Sequence, residues 1–324
     1  MITGVGTATA LSVLKGLKRQ SQYKVRTIGL DCDPFVSGHF FVDQFYTSLS
    51  PSKPEEFSQQ VLEIIKKEKI DLVVPIIDYE FPIWAEMKKE GKIPHATLLM
   101  APASSLEICQ DKLKTIVFFK GLDVPTVEIL GEGDPITQFP VLIKPRHFGR
   151  ASMNVHCVED AEELNFWIRK MKSNYVIQEY IEGEEFTVDC LSTLEGSFLK
   201  GLVRKRIATK NGLSVKAEIV KDDFAVACCK KIMEGLKIPG VSNIQFFKKE
   251  DRHCFIEINP RFAGTHAFSI EGGFNIISYL LQMLDGKTVD PSKIQIPYGL
   301  KMIRFWDEII VDGKQVHTPG LLKR

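Results

Sequence analysis

Residues 243–261 read Asn-Ile-Gln-Phe-Phe-Lys-Lys-Glu-Asp-Arg-His-Cys-Phe-Ile-Glu-Ile-Asn-Pro-Arg and contain the densest set of polar side chains in the chain. Two largely apolar runs flank a charged turn at Glu250, which predicts a β-hairpin. Side chains on a strand alternate between faces, so Glu257 and Asn259 point one way while the isoleucines beside them point into a core. If the register permits, Gln245 lies opposite Glu257 on the same face.

The oxygen atoms of Gln245, Glu257 and Asn259 suit Mg²⁺ or Mn²⁺. Hard cations bind carboxylate and amide oxygens and keep water or phosphate in their other positions. Arg261 follows within reach of an anion that such a metal would hold, and a guanidinium there can stabilise a phosphoryl group during transfer. The alternative for this hairpin, taken alone, is a solvated polar face that ends in an Asn-Pro turn.

Two further stretches carry groups suited to a nucleotide. Lys144 ends an apolar run, and a lysine at the end of a buried strand needs an anion to offset its desolvation. The loop at 146–152 has two arginines, one glycine and Ser152, and its N–H groups could lie over phosphates. Residues 176–188 form two strands joined by an acidic link, whose backbone could contact a base and whose carboxylate could bind ribose. Taken alone, the first stretch is more typical of an ordinary basic loop and the second of an ordinary acidic turn.

The composition sets the class of protein. The chain has 324 residues, 44% hydrophobic and 26% charged, which fits a soluble globular protein of about two units and excludes disordered and coiled-coil chains. A net charge of +1 gives no bulk attraction to nucleic acid or acidic membranes, and no apolar run is long enough to span a membrane. The seven cysteines have no C-x-x-C spacing, which argues against a disulfide framework or zinc site. We expect a cytoplasmic protein.

Strand-like and helix-like segments alternate through the first hundred residues, which predicts a parallel, doubly wound sheet. Beyond this region the pattern becomes α+β, with one helix predicted over 104–120 and a terminal hairpin over 301–311. Gly4-Val5-Gly6 followed by Asp31 is similar to a dinucleotide fingerprint without its third glycine, so a nicotinamide-dependent oxidoreductase is an alternative. The opening Met-Ile-Thr-Gly is short for a first strand, and we expect a truncated start.

In order along the chain, these motifs resemble the ATP-grasp superfamily. The resemblance covers about residues 1–285 and rests on Asp111-Lys112, Val-Leu-Ile-Lys144-Pro, Gln178-Glu-Tyr-Ile-Glu-Gly-Glu-Glu185-Phe-Thr-Val, Gln245 and Ile-Glu257-Ile-Asn259-Pro-Arg261. Within the superfamily, the chain is most similar to stand-alone proteins that resemble one synthetase unit of the carbamoyl phosphate synthase large chain. Carboxylate–amine ligases such as D-alanine–D-alanine ligase share the likeness.

The resemblance implies an α/β and α+β fold. An N-terminal Rossmann-like parallel-sheet domain over 1–102 would precede the two-lobed ATP-grasp fold. The small lobe would cover 103–172, and the large lobe with a C-terminal extension would cover 173–324. ATP would lie between the two lobes.

The resemblance also implies roles by motif position. The implied residues are Lys112, Lys144, Ser152, Gln178, Glu179, Ile181 and Glu185 for ATP; Gln245, Glu257 and Asn259 for one or two Mg²⁺ (or Mn²⁺) ions; and Arg261 and Lys144 for catalysis. The lysines would contact phosphates, the residues at 178–181 would contact the base through their backbone, and Glu185 would hold the ribose. The phosphate loop departs from the family because it keeps one glycine, and fewer glycines make close backbone approach to phosphate harder.

The predicted reaction needs no nucleophilic serine or cysteine. Transfer of the γ-phosphoryl group to a carboxylate gives an acyl phosphate that an amine attacks, so the protein mainly positions groups and neutralises charge. We therefore predict an ATP-dependent carboxylate–amine ligase with small-molecule carboxylate and amine substrates and neither a nucleic-acid nor a membrane partner. A carboxylate–thiol ligase and a phosphotransferase for bicarbonate or a small acid are open alternatives, as is a homodimer.

The glycine-poor loop leaves another alternative, a nucleotide-binding regulatory protein without turnover. The substrate pockets are expected where the N-terminal domain meets the residues after Arg261. His266 is a candidate on the acceptor side of that pocket, and the competing interpretation is a histidine without chemistry.

Overall fold

The computed structural model describes residues 1–131, 135–147, 149, 153–313 and 315–317. The helices are α1 (Ala8–Arg19), α2 (Pro54–Glu68), α3 (Phe81–Lys89), α4 (Ala103–Gln110), α5 (Lys112–Gly121), α6 (Ala161–Met171), α7 (Asp223–Leu236), α8 (His266–Glu271) and α9 (Ile276–Leu284). The strands are β1 (Ile2–Thr3), β2 (Ile28–Asp31), β3 (Gln44–Thr47), β4 (Leu72–Val73), β5 (Thr97–Leu98), β6 (Val141–Lys144), β7 (His156–Val158), β8 (Val176–Glu179), β9 (Glu184–Ser192), β10 (Phe198–Lys210), β11 (Leu213–Val220), β12 (Val241–Lys249), β13 (Arg252–Asn259), β14 (Lys301–Ile303), β15 (Ile310–Asp312) and β16 (Gln315–His317). The predicted α/β and α+β class is confirmed.

The N-terminal region contains parallel strands, as predicted. One sheet has the order β1-β2-β3, β4 pairs with β5, and a parallel bridge between Ile2 and Val74 joins the two sets. The Gly6 N–H donates to Asp31 Oδ2 at 2.9 Å. In a dinucleotide fingerprint, the carboxylate of Asp31 would bind a ribose. Here it accepts a hydrogen bond from the glycine loop instead.

The prediction of one helix over 104–120 was wrong, because the helix breaks at Asp111. Its carboxylate accepts hydrogen bonds from the N–H groups of Leu113 and Lys114, at 2.9 and 3.2 Å, and thereby caps a new helix. The same carboxylate binds Arg146 through Nε at 2.9 Å and Nη2 at 2.7 Å. Burial opposes its ionisation, but the Arg146 guanidinium and the cap bonds hold the pKa of Asp111 below its usual range. The break places Lys112 on the first turn of α5.

The large antiparallel sheet has the order β13-β12-β9-β10-β11-β14. Gln245 lies opposite Glu257 and Asn243 lies opposite Asn259, so the predicted hairpin and its register are confirmed. Ile244 on the other face is fully buried in a core shared with α5 and α7. Burial of such side chains stabilises the sheet by about 1.5–3 kcal/mol each, which leaves the polar face available for chemistry.

The predicted terminal hairpin over 301–311 was also wrong. β14 pairs with β11, with Ala217 opposite Met302, while β15 pairs with β16. Without β14, β11 would be an edge strand, and an edge exposes unpaired backbone groups that another strand can satisfy.

A smaller antiparallel sheet has the order β7-β6-β8. Ile143 and Ile177 are buried in a core that includes Leu164 of α6. Because strand side chains alternate, Lys144 and Gln178 share the opposite face, and both are buried. Across the ranges that the structure describes, no helix has the length and apolar character that a membrane crossing requires.

Candidate functional site

A cavity of about 270 Å³ lies where the polar face of the large sheet meets the N-terminal loops. The predicted site residues that line it are Glu185, Gln245, Glu257, Asn259 and Arg261. Its wall also includes residues 76–78 and 263–265, together with Thr7 and Thr9. The wall therefore combines the two regions in which substrate pockets were expected.

Gln245 and Glu257 form the part of this wall best suited to a cation. Neither side chain has a hydrogen bond or ion pair to another described residue, although the two lie opposite each other on neighbouring strands. Asn259 is more engaged: its Nδ2 donates to Asn243 Oδ1 at 3.3 Å, and its Oδ1 accepts from Arg261 Nη2 at 3.2 Å.

The donor set contains one carboxylate and two amides. In the described part of the chain, no group of three His, Cys, Asp or Glu side chains is placed to hold a metal. Such a sparse oxygen set fits Mg²⁺, which usually binds through one or two carboxylates and completes its shell with phosphate and water.

Arg261 is held by a residue that the sequence reasoning missed. Its Nε and Nη2 donate to the two carboxylate oxygens of Asp78 at 2.8 and 3.1 Å, a bidentate pair. Burial alone would lower the pKa of Arg261, but the Asp78 carboxylate outweighs it and the pKa is raised. Asp78 follows the carboxyl end of a parallel strand, the usual place for site residues in such sheets, and this was the available signal.

Glu185 faces a second arginine that was not predicted. Arg206 Nη1 lies 2.7 Å from Glu185 Oε1, and the arginine side chain is only 6% exposed. Burial raises the pKa of Glu185, Arg206 opposes that rise, and Glu257 adds to it. The carboxylate proposed for a ribose is therefore already paired with a guanidinium.

Lys144 brings a positive charge from the small sheet toward Glu257. Burial, followed by repulsion from Lys112, lowers the pKa of Lys144 to about 8, while attraction to Glu257 opposes the change. Lys112 and Glu257 both line a smaller cavity of about 40 Å³. A Cβ atom at Gly149 would lie 3.1 Å from Lys112 Nζ, so the ammonium group lies against Gly149.

Lys144→Met is expected to remove a pH dependence of stability. The unfolded chain keeps the Lys144 proton up to about pH 10.5 and the folded chain loses it near pH 8, so unfolded chains bind more protons in between. The free energy of unfolding of the wild type therefore gains about 3 kcal/mol from pH 8 to 10.5. Urea unfolding of wild type and Lys144→Met across this range measures the difference. The exposed Lys230→Met is the control and should keep the wild-type slope; an equal slope in Lys144→Met would contradict the expectation.

The structure does not bring the hinge residues to the larger cavity. Gln178 Oε1 is buried without a described partner. The Glu179 carboxylate accepts from Arg252 Nη2 at 2.6 Å and from the Glu128 N–H at 3.0 Å, and Ile181 packs against the main core. Ser152 lies outside the described residues.

Two family models match the chain, one in each half. Residues 1–96 match a model described as PylC-like, N-terminal domain, and residues 171–304 match one described as ATP-grasp in the biosynthetic pathway with Ter operon. Over residues 171–304, the chain is therefore similar to an ATP-grasp family. The superfamily predicted from the motifs is confirmed.

Solved structures share the architecture of this chain. The biotin carboxylase domain of Hydrogenobacter thermophilus 2-oxoglutarate carboxylase, in complex with MgADP, ADP and bicarbonate, has a TM-score of 0.73 at 14% identity, covering 91% of this chain and 72% of that chain. An L-amino acid ligase from Bacillus licheniformis has a TM-score of 0.66 at 16% identity, covering 91% of this chain and 76% of that chain. Identities this low show the fold alone.

The carbamoyl phosphate synthase large chain of Clostridium beijerinckii is 26% identical over 271 residues, which cover 76% of this chain. The match spans 24% of that relative's length. The resemblance to one part of such a synthase, predicted from the motifs, is confirmed. The predicted enzyme class, an ATP-dependent ATP-grasp ligase, agrees with these relatives.

Proposed function

We propose that this chain is a ligase that uses ATP to join a carboxylate to an amine and releases ADP and phosphate. The observation that supports the proposal most is the arrangement around Glu257. Its carboxylate has no described partner, lies opposite Gln245, and acts electrostatically on both Lys144 and Arg261. An anionic oxygen among cations is suited to positioning a metal-bound triphosphate.

Gln245, Glu257 and Asn259 are the residues that would hold Mg²⁺ in this proposal. When bound, the metal supplies charge neutralisation for the phosphates of ATP. The fit rests on the chemistry of the donors, since two of the three side chains have no protein partner among the described residues.

The two lysines would bind phosphate oxygens. An anion beside Lys144 would raise its pKa and keep it protonated, because opposite charge favours the charged form. Arg261 would donate to the phosphoryl group in transfer, and its pair with Asp78 would fix the direction of its guanidinium.

The remaining assignments complete the proposed nucleotide site. The base would lie at Gln178, Glu179 and Ile181, the ribose at Glu185, and Ser152 near the phosphates. The division of the chain into units over 1–102, 103–172 and 173–324 belongs to the same proposal.

The proposed reaction has two steps. A carboxylate oxygen attacks the γ-phosphorus, an O–P bond forms and ADP leaves; the amine then attacks the acyl carbon and phosphate leaves as the amine loses a proton. The cavity lining in the described residues contains neither cysteine nor histidine. The serine and threonine hydroxyls of that lining therefore have no histidine beside them in the described wall to act as a base, which favours activation of the acid by ATP.

Purified protein with MgATP and pairs drawn from amino acids and small acids tests the proposal. We expect ADP and phosphate release that requires both an acid and an amine, and a product whose mass equals their sum less one water. With hydroxylamine as the amine, the acyl phosphate should be trapped as a hydroxamate. ATP binding without turnover across the panel would instead favour a regulatory protein, and binding of NAD in place of ATP would favour an oxidoreductase.

A further inference from the structure

The same cavity has a second group of polar residues that the proposed mechanism does not use. Arg204, Arg206, Ser214, Thr265 and Thr9 all line it. The hydroxyl groups of Ser214 and Thr265 have no hydrogen-bond partner among the described residues, although both residues are buried.

Arg206 has an unused donor in this group. Its Nη2 donates to the carbonyl of Gly212 at 2.7 Å and its Nη1 contacts Glu185, whereas its Nε is buried without a described partner. Asn211 and Gly212 both have positive φ, which suits the tight turn that presents this carbonyl. A buried N–H without a partner is costly, so the protein leaves the Arg206 guanidinium incompletely satisfied, and an anion in the cavity would offset that cost through its charge.

The charges around this group do not cancel. Arg204 is paired with Asp189, and Arg206 is paired with Glu185. A third guanidinium, Arg304, has no acidic partner among the described residues.

Arg304 stays close to the cavity through the backbone. Its Nη2 donates to the carbonyl of Gly264, a residue of the cavity wall, at 2.9 Å. Burial, together with repulsion from Arg204, lowers the pKa of Arg304. The three guanidinium groups of Arg204, Arg206 and Arg304 are thus accompanied by the two carboxylates of Asp189 and Glu185. This group of side chains has one positive charge in excess. The other acid in range, Glu257, is the proposed metal ligand.

We propose that Arg206 and Arg204, with the Ser214 hydroxyl, form a subsite for a substrate carboxylate. A guanidinium presents planar N–H donors that match a carboxylate, and one negative charge restores the local balance. A carboxylate neutralised in this way is a poor nucleophile, so the group bound there is retained in the product. The identity of the anion as a substrate carboxylate rests on the proposed ligase function.

Acetate is the probe for this subsite, and acetamide is its neutral counterpart. Titration of ¹³C-labelled acetate into the whole chain, followed by NMR line broadening with and without MgADP, should give saturable binding in both conditions. Acetamide should not bind. Arg206→Met should weaken acetate binding tenfold or more, since charged hydrogen bonds to a carboxylate are strong. Lys205→Met, on the next residue of the same strand and paired with Glu184, should bind acetate like the wild type.

Arg304→Gln tests the subsite without touching the cavity-lining arginines. Arg304→Gln should weaken acetate binding severalfold. If Arg206→Met does not fold, the acetate affinity of Arg304→Gln provides the test of the subsite. Wild-type affinity in the folded variants, or displacement of acetate by MgADP or inorganic phosphate, would overturn the subsite. Acetate binding that depends on the arginines, without ATP turnover, would support the subsite and contradict the ligase function. ATP turnover without acetate binding would support the ligase function and contradict the subsite.

Discussion

The Glu257→Gln variant is expected to lose a hundredfold or more of the ATP turnover rate, with little change in the free energy of unfolding. The substitution keeps the shape of the side chain and removes one negative charge from the cavity wall. That carboxylate has no hydrogen-bond or ion-pair partner among the described residues, so we expect folding to depend little on it. Removing one preorganised electrostatic group from an active site, such as an oxyanion-hole donor, typically costs about 10²–10³ in rate, and we expect a loss of the same order here.

Steady-state ADP release measures the turnover rate of Glu257→Gln, and urea unfolding measures its free energy of unfolding. Glu250→Gln makes the same chemical change at the exposed turn of the same hairpin and should leave both quantities unchanged. Asn259→Ala is a less selective test, because Asn259 also contacts Asn243 and Arg261. Wild-type turnover in Glu257→Gln would remove the hairpin from the mechanism.

Asp189→Asn should lower the free energy of unfolding by about 3–5 kcal/mol, the usual cost of breaking a buried ion pair from one side. Asp189 accepts from Arg204 Nε at 3.0 Å and Nη2 at 2.8 Å, and both side chains are at most 2% exposed. The hydroxyl of Ser269 donates to the same carboxylate at 2.5 Å. The variant would leave the Arg204 charge buried without compensation.

Thermal and urea unfolding provide the measurement for Asp189→Asn. The matched control is Glu184→Gln, which breaks the solvent-exposed pair with Lys205 on the neighbouring strand. Surface pairs contribute about 0–1 kcal/mol, so this control should remain close to the wild type. Equal stability losses in the two variants would show that the burial of the Asp189–Arg204 pair is not what matters.

The structure gives His266 a different position from the one that the sequence predicted. It was a candidate on the acceptor side of the substrate pocket. Its Nδ1 lies 3.4 Å from Asp189 Oδ2, the residue is buried, and it is absent from the described cavity wall. The structure therefore places it beside the buried ion pair.

Errors in the sequence interpretation occurred where local patterns compete with capping or long-range pairing. The helical periodicity through Asp111 looked continuous, but a side-chain cap begins a new helix there. The segment at 301–303 looked like half of a hairpin, but it adds to a distant sheet edge. Neither outcome can be decided from a short window of residues, because the competing partner lies elsewhere in the chain or depends on side-chain geometry.

The sequence by itself determined the face on which Gln245, Glu257 and Asn259 lie, because strand side chains alternate with a period of two and the intervening isoleucines require a core. Only the tertiary structure decided which charges meet in the cavity. Asp78 and Arg261 are 183 residues apart in the chain. Their pairing depends on how the N-terminal loops pack against the large sheet, and that packing cannot be predicted from the spacing of residues in the sequence.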